Sequence, residues 1–104
     1  MTAAEWLAQR VPPSPESLGR RMGALLAGTE HLPIPDALLV AAEARLSAML
    51  REGETSRAAA ADLLAVDALV TYAFEAASSE PERLAERAAR AEARISRLAG
   101  PSAA

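Results

Sequence analysis

The chain contains no cysteine, no lysine and no asparagine, and its aromatic content is 3%, supplied by Trp6, Tyr72 and Phe74. Each absence excludes something. Without cysteine there are no disulfides, no thiolate metal sites and no cysteine nucleophile. With so few rings, a core has to be assembled from aliphatic side chains and alanine. Arginine supplies all 11 basic charges, which reads as a GC-rich coding bias of bacterial type and not as a signature of phosphate binding. The formal net charge of −3 gives no overall pull towards DNA or anionic lipid. The single histidine, His31, falls in a proline-flanked loop, too little for the repeated Glu-x-x-His pairs of a di-iron bundle. Neither a GxSxG elbow nor a Walker A sequence occurs. No metal, cofactor or catalytic residue is expected.

What is present describes a small globular protein. A length of 104 residues suits one domain, spanning 1–100, with 101–104 as a frayed tail. Hydrophobic residues make up 51% and charged residues 24%, which speaks against disorder. Alanine has the highest helix propensity, so its abundance tilts the whole chain towards helix. No segment alternates with a period of two, so no strand is expected. The opening MTAAEWLAQR lacks the basic and apolar regions of a secretory signal, which makes the cytoplasm the expected location.

Punctuation divides the chain into five helices. Thr2 and Glu5 have capping-box spacing and predict a short helix from about Ala3. VPPSP stops it. Ser14 and Pro15 read as the cap and first position of a second helix, which should run to about Ala27 with Gly28 as its left-handed end. A third is predicted from near Asp36 to just before Gly53. A fourth, capped by Thr55 or Ser56, should cover 57–77. The fifth should start with a Ser79/Glu82 capping box and Pro81 in its first turn, and end at about Ala99, closed by Gly100 and Pro101. The expected fold class is all-α, a compact bundle of four main helices plus a short N-terminal helix. Leu18, Met22, Leu25 and Leu26 share a face of the second helix; Leu39, Ala42, Leu46, Met49 and Leu50 share one of the third. Gly19, Gly23 and Ala27 form a small-residue stripe that predicts close helix approach.

The stretch DLLAVDALVTYAFEAA, 62–77, is apolar enough to raise a membrane span. Its three acids exclude it: large apolar residues contribute about −0.3 to −0.6 kcal/mol each to insertion, and central acids cost roughly +2.5 to +3.5. At about 100° per residue, Leu63, Val66, Leu69, Val70, Ala73, Phe74 and Ala77 form one broad apolar arc. Asp67 and Glu75 lie opposite, on a solvated face. Asp62 falls inside the arc. A buried carboxylate needs a partner or water, so its expected role is an ion pair with an arginine of another helix or a wet helix end. Tyr72, at the edge of the arc, is the second candidate buried polar residue, with its ring in the core.

The fifth helix carries the most regular polar pattern. Arg83, Arg87, Arg90, Arg94 and Arg97 step by four, three, four, three beside an apolar stripe of Leu84, Ala88, Ala91, Ile95 and Leu98. These arginines are the candidate partner-binding residues. The helix as a whole is only +1, because residues 80–99 hold four acids and five arginines, while the rest is −4 from six basic and ten acidic residues. No aromatic is interleaved for base stacking. Pairing with the acidic body, within the chain or between copies, is expected ahead of nucleic-acid binding. The leading expectation for function is a small non-catalytic interaction module that associates through helix faces, as a homodimer or an accessory subunit. Two alternatives follow from the residues: a regulator that binds nucleic acid or an acidic partner through the arginine stripe, and a helical enzyme or ligand carrier with a pocket near Asp62 and Tyr72.

Overall fold

A computed structural model describes residues 1–53, 55–79 and 81–99, with the backbone alone at 81, 82 and 84. Five helices follow one another: α1 (Ala3–Ala8), α2 (Glu16–Leu25), α3 (Ile34–Glu52), α4 (Arg57–Ala77) and α5 (Pro81–Leu98), with no strand among the described residues. The extents, 42 × 36 × 22 Å, fit two layers of helix, since one helix with its side chains is about 10–12 Å across.

The ends of the helices show the local chemistry at work. Thr2 accepts from the Glu5 backbone N–H at 3.2 Å, and Glu5 accepts from the Thr2 N–H at 3.0 Å, so the first capping box is complete. That bond to the Thr2 backbone, with the Thr2 side chain, holds the Glu5 carboxyl below its ordinary range. Gly53 ends α3 at φ 62°, the left-handed conformation that glycine takes without steric cost. Ser56 accepts from the Ala59 N–H at 3.1 Å and caps α4, which spans the residues that the sequence predicts. Two starts differ from expectation. α2 begins after Pro15, whose extended backbone makes it the cap in place of Ser14, with no side-chain bond. α3 begins at Ile34, two residues early, because Pro33 serves as its cap and Pro35 fits its first turn. Regular α2 ends at Leu25, and Gly28, at φ 90°, closes the turn that follows it. The predicted Glu82 arm of the second capping box, the Leu84 member of the apolar stripe, the Gly100–Pro101 closure and the tail lie outside the described residues.

The core is an α3/α4 hairpin roofed by α1 and α2. Met22, Leu38 and Leu69 are its largest fully buried side chains, and alanines fill most of the rest: Ala37, Ala41, Ala42, Ala65, Ala73 and Ala76. Small side chains let two helix backbones approach closely, and burying each leucine is worth about 1.5–3 kcal/mol. This changes the reading of α4. Its buried arc is centred on the alanine side, taking in Ala65 and Ala76, so that Leu63 and Phe74 at the far edge stay 51% and 49% exposed. A wheel weighted by side-chain size points to the wrong edge, because helix proximity here is set by the small residues. Leu50 of α3 is also exposed. The glycine stripe of α2 does not make a close helix contact: a Cβ on Gly23 would meet nothing within 4 Å, and one on Gly19 would meet Ser14 Oγ of the preceding loop.

Candidate functional site

Polar side chains gather at three places, and each ties helices together. The first is Asp62. Arg21 of α2 donates from Nη1 to Oδ1 at 2.7 Å, and Arg45 of α3 brings Nε and Nη2 each to 2.8 Å from Oδ2. The carboxylate is 15% exposed, so its position inside the apolar arc is met by two arginines from two other helices. The hydrogen bond from Arg21 holds the Asp62 carboxyl below its ordinary value against the opposing pull of desolvation, and Arg45 adds to the effect. With both oxygens engaged, this group is a weak base and a poor ligand, and it serves as a three-helix junction.

The second is the α1–α4 corner. Trp6 meets Tyr72 edge to face, with ring centroids 6.1 Å apart and planes at 85°. The Arg10 guanidinium lies 3.9 Å from the Trp6 ring centroid, donates to the Trp6 carbonyl at 3.1 Å and approaches Glu75 at 3.7 Å. Tyr72 is half-buried against this corner. Asp62 and Tyr72 are ten residues apart and belong to separate polar clusters. His31 is exposed in the α2–α3 turn.

The third is the seam between α5 and α3. Arg87 Nη1 lies 3.1 Å from Asp36 Oδ2, and Arg94 Nη1 lies 3.5 Å from Glu43 Oε2. Both arginines and both acids are seven residues apart. That equality fixes the register of two helices running in the same direction, each pair two turns, or about 10.5 Å, from the other. Of the five predicted arginines, Arg87 and Arg94 therefore turn inward, with only 7% of the Arg87 side chain exposed. Arg90 pairs along its own helix with Glu86 at 3.7 Å, and Arg83 and Arg97 are exposed. The stripe is split between holding α5 down and facing outward.

Ala91 is the one buried apolar side chain of α5 among the described residues, and Ile95 remains 52% exposed. A shallow apolar groove of about 50 Å³, open to solvent, runs between α3, α4 and α5, lined by Leu39, Leu46, Val66, Val70, Ile95 and Leu98, with Glu43 as the polar member of its wall. Sequence reasoning missed Asp36 and Glu43; the signal was present in their seven-residue spacing, which repeats that of Arg87 and Arg94. Among the described residues no three His, Asp or Glu side chains gather closely enough to hold a metal ion, and no helix is long and apolar enough to cross a membrane. No family model matches the chain, and no curated protein or solved structure matches it.

Proposed function

We propose that the chain is a non-catalytic helical interaction module of the cytoplasm, which associates through the half-exposed apolar edge formed by α4 and α5, as a homodimer or as an accessory subunit. The observation that carries this reading is the placement of large apolar side chains. Leu63 and Phe74 of α4 and Ile95 of α5 are each about half exposed, Val70 and Ile95 open into the same groove, and the polar clusters are engaged in joining helices. Exposed apolar edges of this kind gain free energy when a partner covers them. The ion-paired arginines of α5 support internal clamping ahead of a phosphate-binding role, since two of the five charges that a nucleic acid would need are directed at α3.

Solution mass across roughly 1–100 µM protein tests the reading, alongside Phe74→Glu and Leu63→Glu. The expected result is a wild-type dimer that the substitutions convert to monomer while helical content stays unchanged. A wild-type mass equal to one chain at the upper concentration, with no partner captured from the native host, removes it.

A further inference from the structure

Resting on that reading, we propose that the partner is a second copy of this chain and that the element exchanged is α5, docked on the α3/α4 groove of the other protomer. Three observations lead there. The contact that holds α5 includes two ion pairs: Arg87–Asp36 and Arg94–Glu43 flank a groove in which Ala91 is the one buried apolar residue of α5 among the described residues. Among the described residues, releasing it therefore uncovers one buried apolar side chain of α5. The matched seven-residue spacing then specifies the register at which a helix can return, and the α5 of an identical chain carries that spacing. The third observation is the connection itself. Only residues 78–80 separate Ala77 from Pro81, and Phe74, one turn before the connection, is half exposed. Short hinges favour exchange between protomers, and two hinges crossing beside one another cover the Phe74 side chains.

The groove discriminates among occupants by charge. An incoming helix must present arginines two turns apart to Asp36 and Glu43 and small apolar residues between them, as α5 does with Ala88 and Ala91.

Charge reversal in separate chains tests this. Arg87→Glu with Arg94→Glu reverses the arm, and Asp36→Arg with Glu43→Arg reverses the body. Each variant alone sets like charges against each other, whether α5 lies on its own body or on that of an identical copy. Mixed one to one, an exchanged heterodimer satisfies both seams: the acidic arm lies on the basic body and the basic arm on the acidic one. Native mass spectrometry is expected to show a species of both chains at twice the 10.8 kDa chain mass. Circular dichroism of the mixture should exceed the average of the parts. A mixture that remains the sum of its parts, without heterodimer, overturns the exchange even where a separate variant is unfolded. A chain carrying all four reversals should behave as wild type. Light and heavy isotope-labelled wild type gives an independent reading: mixed-mass dimers should form several-fold faster at 500 mM than at 50 mM salt, and a salt-independent rate opposes the proposal. If wild type dimerises but the variants do not complement, pairing through the α4–α5 edge survives and arm exchange does not.

Discussion

The Asp62 junction and the α5 seam use the same chemistry, arginine against carboxylate, to opposite effect. Asp62 receives two arginines at 2.7–2.8 Å beside a core that contains Met22, Leu38 and Leu69. The α5 seam has pairs at 3.1 and 3.5 Å beside Ala91, the one buried apolar side chain of that helix among the described residues. At the first, apolar burial supplies the stability and the ions fix which helices meet. At the second, charge carries a larger share, and the helix it holds is correspondingly easier to release. An ion pair's contribution thus depends on what is packed around it, since screening and side-chain entropy leave little for a pair without that support.

The sharpest way to break the contrast is to remove the packing behind the junction. Leu69→Ala should cost about 3 kcal/mol of global stability, as expected for truncating a fully buried leucine. Urea unfolding followed by circular dichroism reads this directly, as a single transition shifted to lower denaturant. Asp62→Asn comes next, at about 2 kcal/mol near neutral pH, below the 3–5 kcal/mol of a fully buried pair because the Arg21 side chain is 42% exposed. Its effect has a defined pH window. The folded carboxyl is held below its ordinary value, so the stability it adds is complete above that ordinary value and is lost as pH falls through the lower folded one. The gap between wild type and Asp62→Asn should therefore be widest near pH 7 and close in acid; a gap that stays constant down to pH 2 contradicts the assignment.

At the α5 seam the effects should be smaller and local. Arg87→Ala is expected to cost about 1 kcal/mol and to raise amide hydrogen exchange in α5 while leaving α4 protected. High salt should do the same in the wild type, since partly exposed pairs are screened. Uniform loss of protection through all helices would erase the distinction between the two regions. At the bottom of the scale, Arg97→Ala should change stability by no more than about 0.5 kcal/mol, as an exposed surface charge.

The capping chemistry was legible in advance. Thr2, Glu5, Gly53 and Ser56 act where short-range rules place them, and the α4 boundaries follow from them. Proline was read less well. Pro15 and Pro33 cap helices through backbone shape alone, which a search for side-chain acceptors passes over. The burial of α4 was legible in its middle and misread at its edge: Leu69 and Val66 are buried, whereas Leu63 and Phe74 yield to Ala65 and Ala76. Hydrophobicity says which residues gain from burial, but the distance between neighbouring helices decides which are covered. For the polar groups, Asp62 called for an arginine and found two. Which arginines they are depends on residues 41 and 17 positions away, beyond any local pattern. The arginine ladder of α5 was visible, yet its division into inward and outward members needed the position of α3.

The alanine seam between α3 and α4 has a consequence for how this chain can vary. It works as a spacer gauge. A larger residue at Ala37 or Ala65, both without exposed surface, has to wedge the hairpin open. Arg45 stands on one arm and Asp62 on the other, so the same wedge pulls their contact apart, and steric and ionic damage arrive together. Latitude for change lies instead on the solvated face of α4, where Asp67 and Thr71 are exposed and larger or smaller side chains leave the gauge undisturbed.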